Sequence, residues 1–318
     1  MPVIDSQLHA NRYGAKWQSL DFATTVEIVI GAMDAVGVDG AVVDEFTALG
    51  AQGQMEPGVV EDDGVWRPRR PFSKLATELY PDRFKYLGRA DLDDPQLVRE
   101  IEKYVSDPGF AGIRLQWGPQ RMVWTDPRWA EGAYGRLFEL AEQYRFPIFL
   151  VIAPRADTLI PYARRYPGVQ FVLDHMGAVS GVDRPSPGDS AEVRYARFDR
   201  VLDLAPYSNV AVKWCHVERI ATSDYPFADA QPHLRRLVSE FGASRIMWAS
   251  DATETMKPTR SEHPSTWAQA LHHVADSPLL TVSEKELILG GAARAILGWP
   301  DRKSTPASAV PASTSTSA

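Results

Sequence analysis

At 318 residues, 44% of them hydrophobic and 24% charged, the chain has the composition of a globular protein with one large domain or two small ones. A net charge of −7 argues against nucleic acid and anionic membrane as partners, since both select basic surfaces. The single cysteine, Cys215, excludes an intramolecular disulfide and any zinc site built on several cysteines, and it fits a reducing cytoplasm.

Residues 3–9 open the chain as a strand. Period-2 alternation puts Val3, Asp5, Gln7 and His9 on one face and Ile4, Ser6 and Leu8 on the other. No basic region leads into an apolar run there, so no signal peptide is expected. Every apolar run in the chain is far shorter than a bilayer span. An amphipathic helix over 21–36 closes at Gly37, and 40–45 is a second apolar strand ending in Asp44 and Glu45. Residues 46–71 carry Gly and Pro without helical or strand periodicity, the pattern of a long lid-like loop. In it Trp66, Arg67, Arg69 and Arg70 could touch an anionic or aromatic substrate; a solvated basic loop is the plainer alternative.

From there helices and strands alternate. Helix 72–80 precedes strand 84–90, helix 97–105 precedes strand 110–117, and helix 134–144 precedes strand 146–152. Helix 159–166 leads to strand 169–175 and a Pro/Gly-rich loop over 177–188. Helix 194–204 leads to strand 210–216 and helix 231–241 to strand 245–251, with helices 265–275 and 283–297 at the end. Eight strands, each followed by a helical pattern, predict a parallel sheet closed into a single (β/α)8 TIM barrel over 1–302, with a long loop after strand 2. No G-x-G-x-x-G turn follows a strand, which lowers a dinucleotide-binding alternative. The Ser/Thr/Ala/Pro tail, 303–318, is expected to be disordered.

In such a barrel the C-terminal strand ends should collect chemistry. They carry Gln7 and His9, Glu45, Arg89 and Asp91, Arg114 and Gln116, Asp174 and His175, Lys213 and His216, and Ser250 and Asp251; the fifth end is bland. Three of the seven histidines lie on these ends. His9, His175 and Asp251 can converge near the barrel axis, and two imidazoles with a carboxylate suit Zn²⁺ or a similar ion with an open position for water. Asp251 would accept the proton of that water, and Arg114 would offer a bidentate fork to an anionic group. A hydrogen-bonded His175–Asp251 pair steadying the rim is the structural alternative. On a regular strand Lys213 and His216 cannot both point inward; small Ala211 favours Lys213 inside and His216 at the rim. His233, His263, His272 and His273 fall in helices or loops, where no catalytic role is expected.

The stretches Ile4-Asp5-Ser6-Gln7-Leu8-His9, Gly112-Ile113-Arg114, Val172-Leu173-Asp174-His175-Met176-Gly177, Val212-Lys213 and Ile246-Met247-Trp248-Ala249-Ser250-Asp251 together resemble the amidohydrolase-related family. That branch includes lactonases, other hydrolases and aromatic-acid decarboxylases. The segment 290–298 resembles the helix that ends such domains. The resemblance implies that His9 is the second histidine of an H-x-H pair, that His175 and Asp251 are catalytic, and that His9, His175, Asp251 and Gln7 surround a divalent metal, zinc first, with a metal-free site as the alternative. Gln7 departs from the pattern, standing where the first histidine is expected, and Ala178 stands where several lactonases carry an arginine. Arg114, Lys213, His216 and Trp117 would bind substrate. The implied function is hydrolysis of an ester, lactone or amide of a small organic acid. The alternatives are decarboxylation of an aromatic acid, suggested by Gln7 and by Trp66, Trp117 and Trp214, and a non-catalytic ligand-binding barrel. The expected partner is a small anionic or aromatic molecule, with a homo-oligomer left open.

Overall fold

The computed structural model describes residues 2–9, 21–45, 58–69, 71–115, 122–180, 183–252 and 261–299. Within them lie all eight expected barrel strands: β1 (Ile4–Leu8), β2 (Gly40–Val43), β5 (Phe84–Gly88), β6 (Phe110–Leu115), β7 (Ile148–Leu150), β8 (Phe171–Leu173), β9 (Val210–Trp214) and β10 (Ile246–Trp248). They form one parallel sheet in chain order. The ends of the sheet meet where Ser6 Oγ donates to the Trp248 carbonyl at 2.6 Å and the Asp251 amide donates to the Gln7 carbonyl at 3.0 Å. The result is a nearly closed TIM barrel. No helix among the described residues is long and apolar enough to cross a membrane.

Two apolar layers follow from strand alternation. Ile4, Val42, Leu87, Ala111, Phe149, Val172, Ala211 and Met247, one from each strand, fill the interior, where Ala292, Ala293, Leu297 and Trp299 from the C-terminal segment join them. The opposite strand faces pack on the helices: Ala41 and Val43, for example, share an outer cluster with Val29 and Met33 of helix Phe22–Val36. Asp21 caps that helix by accepting from the Thr24 amide, and Gly37, at φ 86°, ends it in the left-handed conformation that glycine adopts at little cost.

The strands stop earlier than the sequence boundaries suggest. Their last residues are followed by His9, Asp44, Arg89, Asp174, Cys215 and Ala249, so most polar groups of the upper mouth sit on turns rather than in the ladder. Three expectations need correction. The pairing of β1 with β2 shifts register between Asp5 and Leu8, so Asp5 and Gln7 do not share a face. Ile4 joins the interior cluster, while Asp5 turns to the Ser250 amide (2.9 Å) and the Trp267 indole N–H (2.9 Å) of helix Trp267–Ala275. Burial pushes the Asp5 carboxyl up to about 6, against the lowering effect of its hydrogen bonds from Ser250 and the Gln7 amide.

The second correction concerns the loop after β2, which contains an antiparallel hairpin, β3 (Gly58–Val60) paired with β4 (Trp66–Pro68). Arg67 is not a substrate contact: it is buried against Asp94 (2.8 Å) and Asp63 (2.7 Å) and also bonds Glu61 (3.0 Å). Arg69 pairs with Glu61 at the surface. Residues 46–57, Arg70 and the Trp66 side chain lie outside the described part, as does the tail 303–318. Thirdly, the helix expected over 194–204 is broken into Ala191–Tyr195, a 3-10 turn over Ala196–Phe198, and Asp199–Leu202.

Candidate active site

The backbone marks the site before the side chains do. His175 (φ 52°), His216 (φ 61°) and Asp251 (φ 47°) all adopt the left-handed conformation that non-glycine residues seldom hold. Each follows the end of a barrel strand, β8, β9 and β10. Strain of this kind clusters where a side chain must be aimed rather than merely packed.

Asp251 is the centre. Its Oδ2 lies 2.7 Å from His216 Nε2, 3.6 Å from His175 Nε2 and 3.1 Å from the Gln7 amide nitrogen. Its Oδ1 is 3.4 Å from His9 Nε2 and carries no hydrogen bond among the described residues. Burial alone would raise the carboxyl, but the close contact with His216, the one imidazole whose own pKa is raised, outweighs it and holds Asp251 well below the ordinary carboxylate range. Asp251 is therefore ionised at neutral pH.

The three imidazoles differ in state. His9 Nδ1 lies 2.6 Å from the Asp44 carbonyl, which can only accept, so Nδ1 bears the proton. Burial lowers its pKa, and the neutral ring turns the Nε2 lone pair toward Asp251. Burial also drives His175 down to about 3; its Nε2 accepts from the Gln7 amide at 2.8 Å, and its buried Nδ1 has no hydrogen-bond partner among the described residues. His216 stands between Glu218 Oε1 (2.8 Å) and Asp251. Although burial works against it, those two carboxylates raise its pKa and favour the imidazolium. The left-handed turn after Trp214 lets both Lys213 and His216 reach inward, which a regular strand would forbid.

Behind these residues runs a buried chain of alternating charge. Arg89 lies 2.6 Å from Asp44, which also pairs with Arg114; Arg114 Nε donates to Asp174 at 2.6 Å, and Lys213 meets the other Asp174 oxygen at 2.8 Å. Among the described residues, three cations thus alternate with two carboxylates beside the site. Burial would lower the Arg114 pKa, but Asp174 and Asp44 raise it; Asp174, despite burial, is held at about 2 by Arg114 and Lys213.

Of the residues expected from sequence, Gln7, His9, His175, Lys213, His216 and Asp251 meet in one pocket, and Arg114 backs it through Asp174. Glu45 is placed elsewhere, accepting from the amides of Phe72 (3.2 Å) and Ser73 (2.9 Å) at a helix start. Trp214 does not line the pocket: it lies in the outer cluster, stacked at 6.0 Å from His273. Trp117 and Gln116 fall outside the described residues. Sequence reasoning placed Asp44 and Asp174 at strand ends without giving them a role, and it missed Glu218, which lies two residues from His216 in a strand-end turn.

The donor set fits a divalent cation. His175, Asp251 and, once it gives up its Nε2 proton, His216 each offer a ligand atom, all within 4.8 Å of one another, and all three are buried. Asp251 Oδ1, without a hydrogen bond among the described residues, lies 3.4 Å from His9 Nε2, where a cation or a water molecule would fit. The Gln7 amide turns its nitrogen, not its oxygen, toward His175 and Asp251.

The amidohydrolase family model matches residues 4–299. An L-fucono-1,5-lactonase from Burkholderia ambifaria is 29% identical over 171 residues, 52% of this chain and 53% of that protein. The chain thus matches about half the length of that curated relative. An amidohydrolase from Burkholderia multivorans, solved with bound zinc, superposes with a TM-score of 0.64 at 17% identity, over 94% of this chain and 100% of that one. The 5-carboxyvanillate decarboxylase of Sphingomonas paucimobilis superposes with a TM-score of 0.55 at 17% identity, over 93% and 99%. At such identities the two structures share the fold with this chain.

Proposed function

This chain belongs to the amidohydrolase family, and from that premise we propose that it is a hydrolase cleaving an ester, lactone or amide of a small organic acid with activated water. The observation that carries the reading is Asp251, ionised, buried and flanked by three imidazoles, with Oδ1 left without a hydrogen bond. Water bonded to Oδ1 loses its proton to Asp251 as it adds to the acyl carbon. Collapse of the tetrahedral intermediate breaks the carbon–oxygen or carbon–nitrogen bond, and the proton held by Asp251 passes to the leaving group. His216, fixed by Glu218, holds the second carboxylate oxygen so that Oδ1 stays aimed. The Arg114 and Lys213 cations behind the site would favour an anionic substrate and the developing oxyanion.

His175, His216 and Asp251 would hold a divalent cation, with His9 beside them. Such an ion, zinc first, would acidify bound water and polarise the acyl oxygen. The likeness to a lactonase over half the chain makes 1,5-lactones of sugar acids the first substrates to try.

The test is turnover by purified full-length protein, stripped and then supplied with Zn²⁺, Mn²⁺ or Mg²⁺, on a panel of lactones, esters and amides followed by proton release. Lactone opening is expected. No turnover with any ion would contradict the proposal, and carbon dioxide release from hydroxybenzoate acids would replace it with decarboxylation. That second reading rests on Gln7, and the placement of Trp214 removes one of its aromatic supports.

A further inference from the structure

We propose that Lys213, acting through the Gln7 amide, sets how readily this pocket accepts a divalent cation. The inference rests on the reading that His175, His216 and Asp251 would hold such a cation.

Lys213 is fully buried and has three donors and no acceptor. Its ammonium is fixed from three sides, by Asp174 (2.8 Å), by Gln7 Oε1 (3.1 Å) and by the face of Phe149 at 4.5 Å from the ring centre. A donor-only neighbour determines which end of the amide it meets. With its oxygen on Lys213, Gln7 must send its amino group the other way, to His175 Nε2 at 2.8 Å and Asp251 Oδ2 at 3.1 Å. Those two atoms carry lone pairs that a cation would use. The amide therefore acts as a built-in competitor, although an amide oxygen in the same place could be a ligand.

Turning the amide over would set its amino group against the Lys213 ammonium, two donors facing each other out of water, and would strip Lys213 of one acceptor. So Lys213 keeps Gln7 in the excluding orientation. It is a positioning residue: it need not touch substrate or ion to set the affinity.

The experiment is Zn²⁺ affinity, read by competition with a chromophoric chelator on stripped full-length protein, for wild type, Lys213→Met, Gln7→Leu and the double variant. Lys213→Met should bind roughly tenfold more tightly, because the amide is then free to present its oxygen. Most of that gain should vanish in the Gln7→Leu background, where no amide remains to turn. An equal gain in both backgrounds would mean that Lys213 acts by charge alone and would overturn the inference, as would no gain in either. Should Lys213→Met fail to fold, Gln7→Leu decides: binding at least as tight as wild type supports a competing amino group, and weaker binding shows a ligating amide and overturns it. Zn²⁺ uptake by none of the proteins would overturn the metal reading and this inference together, whereas uptake indifferent to both residues overturns this inference alone.

Discussion

Arg114 lies between Asp44 and Asp174 with almost no exposed surface, so its first role is to neutralise two buried carboxylates. Replacing it with Met leaves each carboxylate one cation short, with Arg89 and Lys213 remaining, and should cost roughly 3 kcal/mol of stability in urea unfolding. An unchanged unfolding midpoint with a raised KM would instead make Arg114 a substrate contact. His9, His175 and Asp251 were legible in the sequence because each closes an apolar run, where a barrel gathers its polar groups. Their protonation states were not, because those depend on a backbone carbonyl, an amide and a carboxylate from other strands. The inward turn of His216 was also hidden, since alternation breaks at the left-handed residue itself.

The hairpin β3–β4 shows what pattern reading loses at the level of elements. Its strands are three residues long, β3 is exposed, and among its described side chains the one that docks it by hydrogen bonds is Arg67. The hydrogen bond from Arg67 holds Asp63 down to about 2 and lowers Asp94 as well. The stability these groups contribute is present above about pH 4 and is lost as pH falls through the lowered values, Asp63 near 2. Hydrogen exchange in residues 58–68, corrected for its intrinsic pH dependence, should therefore speed up over that range ahead of the barrel strands, and Arg67→Met should reproduce the effect at pH 7. Exchange that changed only with global unfolding would contradict this docking. The register shift in β1 was illegible for a similar reason: a carboxylate satisfied by Ser250 and Trp267, 245 and 262 residues away, pulls Asp5 off the face that alternation assigns it.

Over the whole molecule the barrel was legible because buried parallel strands read as apolar runs with helices between them, and all eight runs form strands. The filling of its lower end by the C-terminal segment was not, since it depends on tertiary fit. Gly290 sits in a π-helical turn against the start of β1, where an added Cβ would collide with the Pro2 carbonyl. Gly290→Ala should cost roughly 1–3 kcal/mol or more, seen as a lower melting temperature with the upper-mouth residues untouched. An unchanged melting temperature would show that this junction gives way easily. The central claim, that Asp251 is the base of a hydrolytic pocket, is tested most directly by lactone turnover in Asp251→Asn. The account predicts a fall in kcat on the order of 10²–10⁴-fold in a protein that still folds; wild-type turnover by that folded variant would contradict it.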